Sequence, residues 1–175
     1  MRRIIDSIDM DSDGPISCRQ FRRWRMRKIL EWSSLEEAQA FAAAENAMAE
    51  HSIACVRCTD WDLARRVRER GFDLRRFPCV HLAEAVTFKC EQHSSPDECE
   101  DYCFVYDARF DEYAISRPKA FNIVIQFCPH CGRKLPSSKR DAWFDAIERR
   151  GLDPFDEARL PKPYRSDGWW RRKRN

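Results

Sequence analysis

A Cys-Pro-His-Cys-Gly motif at residues 128–132 constrains the fold of this chain more than any other feature. Two cysteines separated by two residues on a turn present one half of a tetrahedral zinc site. Pro129 restricts φ, and Gly132 tolerates the left-handed geometry that lets backbone amides approach the sulfurs. A redox Cys-x-x-Cys pair would open a helix after a strand, whereas residues 133–136 are predicted to be extended. The motif therefore predicts a zinc-stabilised module.

A structural zinc site needs four ligands, normally from two chain segments, so further ligands are expected upstream of the motif. Cys79 and Cys90 lie at the two ends of a short segment that we expect to pair beside the hairpin carrying the motif. The spacing of Cys90 and His93 also matches a zinc knuckle, so spacing alone leaves the upstream pair open. The predicted zinc ligands are Cys79, Cys90, Cys128 and Cys131, with His93 and Cys99 as reserve ligands, and the same stretch also contains His81, Cys103 and His130.

A second Cys/His group, formed by His51, Cys55 and Cys58, precedes this stretch. Its Cys-Val-Arg-Cys sequence lacks the proline and glycine of a metal-binding turn and lies in a segment with a strand pattern. Because free cysteine packs as a small hydrophobe, we favour buried thiols over a second metal site here.

The composition limits the class of protein. The chain has 175 residues, of which 43% are hydrophobic and nine are cysteines. Its first residues lack the apolar region of a signal peptide, and no stretch approaches the ~18 apolar residues of a membrane span. We therefore expect a cytoplasmic protein that does not enter a membrane and whose cysteines are metal ligands and free thiols rather than disulfides.

The first part of the chain has a helical pattern. Residues 1–50 predict a helical N-terminal region with a basic helix, an EF-hand-like loop and a second helix. Ser34 and Glu37 form a capping box at the start of that second helix. Residues 51–77 predict a short α/β linker region that begins with a strand at 52–56.

The second part of the chain has a β pattern. Residues 78–175 predict a zinc-ribbon-like domain followed by an extended, Trp-rich basic tail, and a helix in this domain begins after Ser137 or Ser138. Its predicted strands span 85–90, 103–106, 113–115 and 121–127. The fold class is therefore α+β: a helical N-terminal extension, a small α/β segment, and a C-terminal antiparallel β domain with one packed helix.

From about residue 70 to residue 170 the chain resembles an uncharacterised family of small bacterial and phage-associated zinc-ribbon-like proteins. The segments that carry the resemblance are 88–93, 99, 111–113, 127–143 and 166–170, including the Cys-Pro-x-Cys-Gly-x-x-Leu-Pro-x-Ser motif and a C-terminal Ser-Asp-x-Trp-Trp. The resemblance implies one cysteine-rich site containing Cys79, Cys90, His93, Cys99, Cys128 and Cys131. The resemblance gives no activity that could be carried over to this chain.

An EF-hand-like loop occupies residues 9–20. Asp9, Asp11 and Asp13 occupy positions where an EF-hand supplies carboxylates. The last position is Gln20, which lacks the bidentate carboxylate of a calcium loop. We therefore expect an Asp-rich turn before the basic helix rather than a Ca²⁺ site.

Both ends of the chain combine positive charge with tryptophan, as phosphate-contacting segments do. Glutamates that follow the first segment favour a solvated face instead. The candidate contacts for nucleic acid or a protein partner are Arg22, Arg23, Trp24, Arg25, Trp169, Trp170, Arg171 and Arg172. If the partner is a protein, we expect the aromatic residues, together with Phe21, to dominate the contact.

The sequence contains no nucleophile elbow, P-loop, dinucleotide-binding glycines or His-Glu-x-x-His motif. We therefore predict a non-enzymatic, zinc-stabilised interaction module that binds a protein. The alternatives are a nucleic-acid-binding zinc-ribbon protein that uses its basic ends and a metal-dependent hydrolase, although excess cysteines favour a closed zinc site over a catalytic one.

Overall fold

The computed structural model describes residues 16–26, 34–93, 99, 101–116 and 121–171. The chain divides into two compact units, an N-terminal unit of Met1–Arg66 and a C-terminal unit of Val67–Asn175. Five α-helices and a small antiparallel sheet occupy the described residues, so the predicted α+β class is confirmed. Among these residues, no helix combines the length and hydrophobicity that a membrane span requires.

The N-terminal unit contains three helices: α1 (Cys18–Arg25), α2 (Leu35–Ala54) and α3 (Val56–Glu69), the last of which continues into the C-terminal unit. Ser17 caps α1 through a capping box, and Ser34 caps α2 by accepting a hydrogen bond from the Glu37 amide. The buried core of this unit consists of Ile16, Phe21, Trp24, Ala44, Met48 and Cys58.

The strand predicted at 52–56 is wrong, because α2 extends to Ala54 and α3 begins at Val56. The β-branched side chains that suggested a strand are exposed, with Ile53 at 87% and Val56 at 69%. The Ser52 hydroxyl donates a hydrogen bond to the Met48 carbonyl one turn earlier, at 2.9 Å. Core packing along a helical face therefore outweighs local β propensity here.

The C-terminal unit contains a sheet of three antiparallel strands in the order β1 (Phe104–Asp107), β2 (Glu112–Ile115) and β3 (Ile123–Val124). Phe104 lies opposite Ile115, and Ala114 lies opposite Val124. The strands predicted at 103–106 and 113–115 are confirmed, whereas the one predicted at 121–127 is reduced to two residues.

The strand predicted at 85–90 is wrong, because Val80–Thr87 forms a helix, α4. Leu82 and Val86 lie one helical turn apart and pack on Tyr113 and Leu135, which explains why the helix forms. These residues belong to the core of the C-terminal unit that also contains Cys128.

The predicted final helix is confirmed as α5 (Arg140–Glu148), and the Ser138 hydroxyl accepts a hydrogen bond from its first amide. Buried carboxylates of the β1–β2 hairpin hold the start of this helix. Asp111 accepts hydrogen bonds from Lys139 at 2.6 Å and from the Tyr106 hydroxyl at 2.9 Å. Trp143 and Ile147 of α5 then pack in a second core whose other buried residues are Phe110 and Leu160.

Candidate metal centre

The Cys-Pro-His-Cys-Gly motif forms the tip of a tight hairpin. The Cys128 amide donates to the Arg133 carbonyl at 2.9 Å, and the Gly132 amide donates to the Cys128 carbonyl at 2.8 Å. Gly132 has a φ of 67°, a conformation that a side chain would strain. Below the tip, Phe127 pairs with Lys134. This backbone places both cysteine sulfurs on the same turn, as the sequence predicts.

The second segment of the site is the start of α4. Cys79 occupies the N-cap position of this helix, and His81 lies in its first turn. The Arg133 guanidinium donates a hydrogen bond to the Pro78 carbonyl at 2.7 Å, which ties the hairpin to the residue before Cys79. The two segments are therefore joined by the protein itself.

Four potential ligand atoms meet between these segments, from Cys79, His81, Cys128 and Cys131, all within 4.8 Å of one another. In a tetrahedral site with zinc–sulfur bonds of about 2.3 Å, neighbouring sulfurs stand about 3.8 Å apart, so this spacing suits a metal ion. The exposure of the cysteines differs, since Cys128 is buried and Cys131 is exposed. Three of the predicted ligands thus lie together, and His81 completes the group in place of Cys90.

The three thiols of the group are crowded together, and the positive charge of Arg133 acts on Cys131. Burial raises the pKa of the Cys79 thiol to about 12, although the Leu82 amide opposes this shift. The Arg133 amide, which hydrogen-bonds the Cys131 sulfur, lowers the pKa of that thiol. A bound cation would add positive charge at the three sulfurs, because a coordinating thiol is deprotonated by the metal.

A second group contains the remaining predicted ligands, Cys90, His93 and Cys99. The Cys90 sulfur lies 3.3 Å from Nδ1 of His93. The Gln92 amide and His93 lower the pKa of Cys90 to about 7, while burial raises the pKa of Cys99. The resemblance implies one site for six residues. In the structure they lie in two groups, one around Cys128 and one around Cys90.

A third group lies in the N-terminal unit, where Cys18 joins His51, Cys55 and Cys58. The sequence analysis identified the last three but not Cys18, which is 33 or more residues away along the chain and has no motif of its own.

A groove of about 500 Å³ lies in the C-terminal unit, beside α4 and β1. Its aromatic and aliphatic walls include Phe72, Phe77, Val86, Tyr102, Phe104 and Tyr106. Charged side chains also line it, namely Arg76, Asp167 and Arg171. Asp167 pairs closely with Arg171 at 2.7 Å and only loosely with Arg76 at 3.8 Å. Sequence reasoning did not find this groove, because its walls come from four separated segments.

The aromatic residues predicted to contact a partner take part in packing or hydrogen bonding within the chain. Phe21 and Trp24 are buried in the N-terminal core. The Trp169 and Trp170 indoles donate hydrogen bonds to the Arg109 and Ala108 carbonyls. Nothing exposed therefore remains of the predicted Phe21 and Trp24 contact surface.

The arginines predicted to contact a partner differ in their exposure and in their ion pairs. Arg22 and Arg23 of α1 are exposed, and the Arg22 guanidinium lies over the Trp61 ring at 5.4 Å. Arg25 pairs with the buried Asp62 at 3.3 Å. Arg171 is held by Asp167, whereas Arg172 lies outside the described residues.

We expect no calcium binding below the millimolar range at the EF-hand-like loop. Asp9, Asp11 and Asp13 lie outside the described residues, but Gln20 is described. Its side-chain oxygen accepts hydrogen bonds from the Ser17 amide at 2.8 Å and hydroxyl at 2.9 Å, so it is engaged in capping α1. Calorimetry should show this weakness, and Gln20→Glu should strengthen any binding. Micromolar affinity in the unmodified chain would contradict the expectation.

Comparison with known proteins assigns most of the C-terminal unit to a protein family. A family model described as Domain of unknown function (DUF6980) matches residues 76–172, which is more than half of the chain. This segment contains the Cys79 and Cys90 groups, whereas the N-terminal group lies outside it. No match was found among curated proteins or among solved structures.

Proposed function

Because the chain belongs through residues 76–172 to the DUF6980 family, whose description names no activity, we propose a function from the site itself. The C-terminal unit is a zinc-ribbon-like, non-enzymatic module that is stabilised by Zn²⁺ and binds an acidic, aromatic-containing segment of a protein partner. The observation that carries the proposal is the group of four ligand atoms contributed by Cys79, His81, Cys128 and Cys131.

The donor set favours zinc in a structural role. Three thiols and one imidazole form the Cys₃His set of structural zinc sites, whereas magnesium and calcium prefer oxygen ligands. Four protein ligands fill a tetrahedral zinc ion and leave no position for a substrate or a catalytic water. The metal would therefore hold α4 against the hairpin, and we assign it no catalytic step.

Zinc would also shape the groove, because the elements that carry its ligands carry the groove walls. Cys79 and His81 begin α4, and Val86 and Thr87 at the end of the same helix line the groove. Phe104 and Tyr106 of β1 also line the groove and pack with α4 in the core around Cys128. Fixing the start of α4 thus fixes the position of one wall.

The aromatic and charged residues that line the groove favour a particular kind of peptide as its ligand. Large aromatic side chains in a groove of this size suit the side chains of a peptide. The Arg76 side chain is 62% exposed, and Asp167, which it approaches to 3.8 Å, is shared with Arg171. A carboxylate of the partner would pair with Arg76 at the rim while an adjacent apolar or aromatic residue enters the groove.

A selection of random displayed peptides on the full-length protein tests this proposal. We expect the selected peptides to place Asp or Glu next to an aromatic or aliphatic residue. Charge reversal by Arg76→Glu should weaken their binding about tenfold or more, because it replaces an attraction with a repulsion. The matched control is Arg75→Glu, since Arg75 is 89% exposed, pairs with Asp73 and does not line the groove. Peptides without acidic residues, or binding unaffected by Arg76→Glu, would overturn the choice of partner.

Nucleic-acid binding through the exposed arginines of α1 is the competing function. Its affinity would fall steeply with salt, because each phosphate contact releases a counterion. A mobility-shift assay on random DNA and RNA at low and physiological salt separates the two functions. Salt-sensitive shifts at sub-micromolar protein that are lost in Arg22→Glu and Arg23→Glu would replace the protein-binding proposal.

A further inference from the structure

The N-terminal unit contains a complete potential ligand set that lies outside the family-matched segment. Cys18 begins α1, His51 lies in the last turn of α2, Cys55 joins α2 to α3, and Cys58 lies in the first turn of α3. Their ligand atoms all lie within 4.8 Å of one another. Three helices thus contribute to one point in space.

The distances suit coordination to a common ion. The sulfurs of Cys18 and Cys55 are 3.8 Å apart, and both cysteines are free. A disulfide would require an S–S distance of about 2.05 Å. Two thiolates on a tetrahedral zinc ion, with bonds of about 2.3 Å, stand about 3.8 Å apart.

The surroundings of His51 distinguish a metal site from packed thiols. Its Nε2 is buried and has no hydrogen-bond partner among the described residues. The Phe21 ring lies 5.1 Å from the imidazole ring, and Cys58 is fully buried beside it in the same core. Packing of thiols as small hydrophobes accounts for Cys58, but it leaves the buried His51 nitrogen without a hydrogen bond, which is unfavourable. A metal ion accounts for the nitrogen and the three sulfurs together.

We propose that Cys18, His51, Cys55 and Cys58 form a second structural Zn²⁺ site, independent of the one in the C-terminal unit. A Cys₃His set is typical of structural zinc, and His51 would coordinate through Nε2. The ion would tie α1, a helix of only eight residues, to the junction of α2 and α3. So short a helix is marginal without tertiary contacts, so the tie would fix its position.

Metal counting on the full-length protein tests the site. Protein purified without added metal is analysed by elemental analysis and native mass spectrometry. We expect Cys18→Ser and Cys55→Ser each to lose one zinc per chain relative to the unmodified protein. The matched control is Cys103→Ser, because Cys103 is exposed and belongs to none of the three groups. It should keep the full metal content.

The result is separable from the Cys128 site, because Cys128→Ser removes a different ion. Combining Cys18→Ser with Cys128→Ser should therefore lower the count by two. Unchanged zinc in both Cys18→Ser and Cys55→Ser would overturn the proposal whatever the outcome at Cys128.

Thiol alkylation of the unmodified protein gives a second test that needs no variant. We expect Cys18 and Cys55 to resist alkylation until a chelator is added, while Cys103 reacts at once. Equal alkylation of Cys18 and Cys55 with and without the chelator would also overturn the proposal.

Discussion

Replacing Cys128 with Ser is expected to release zinc from the C-terminal unit and to unfold that unit. Cys128 is 1% exposed and lies in the core with Leu82, Tyr113 and Leu135. Because serine is nearly isosteric with cysteine, the packing change is small and the main effect is the loss of a ligand. In zinc-dependent folds the binding energy of the metal, about 10–16 kcal/mol for small zinc peptides, is folding energy. Domains have a total stability of about 5–15 kcal/mol, so the loss is large on that scale.

Elemental analysis and thermal melting followed by circular dichroism measure the two parts of this expectation. The Cys128→Ser protein should contain one zinc fewer per chain and should lose the melting transition of the C-terminal unit. Cys103→Ser serves as the control for a cysteine-to-serine change outside the Cys/His groups. A variant with full zinc content and an unchanged melt would refute the structural role of the metal.

Removing the Trp143 side chain should have the second-largest effect, for a reason unrelated to metal. Trp143 is 1% exposed, its indole donates to the Tyr164 carbonyl at 2.9 Å, and its ring meets Phe110 edge-on at 5.3 Å. Trp143→Ala leaves a cavity and an unpaired carbonyl, and such changes cost about 3–5 kcal/mol. The free energy of unfolding measured with urea should fall by that amount.

Phe155→Ala is the matched control for Trp143→Ala, because Phe155 is an aromatic residue of the same unit that is 86% exposed. Its stability change should stay within about 0.5 kcal/mol. A loss below about 1 kcal/mol for Trp143→Ala would mean that the second core does not stabilise the C-terminal unit as the packing indicates.

The sequence alone predicted the structural features whose geometry depends only on residues close together in the chain. Ser34 and Ser138 were recognisable at helix starts because a hydroxyl satisfies amides only a few residues away. The Cys-Pro-His-Cys-Gly turn was predictable because its geometry depends on its own proline and glycine. The β pattern of residues 103–106 and 113–115 likewise predicted two strands of the sheet.

Local patterns failed where distant contacts decide the conformation. Residues 52–56 and 85–90 contain β-branched or aromatic residues, yet the helices α2, α3 and α4 that include most of them are stabilised by the cores on which they pack. Cys18 could not be assigned to His51 from spacing, because the packing of α1 through Phe21 brings it there.

The complete ligand set of the C-terminal site was also hard to predict, because it too depends on contacts between distant segments. Of the four predicted ligands, three lie together, because Cys128 and Cys131 share a turn and Cys79 begins α4, which packs in the same core as Cys128. His81 was named in this stretch but not selected, because its approach to Cys128 depends on how the first turn of α4 packs. Cys90 lies beyond the other end of that helix, in the group with His93 and Cys99.

Hydrogen–deuterium exchange of the full-length protein, with its metal, after chelation and after addition of Zn²⁺, shows whether zinc holds the C-terminal unit together. We expect the hairpin amides of Cys128, Gly132 and Leu135, and those of α4, to lose protection when the metal is removed. Zn²⁺ should restore the protection. Equal protection of these amides with and without metal would contradict the claim that the C-terminal unit folds around a zinc ion.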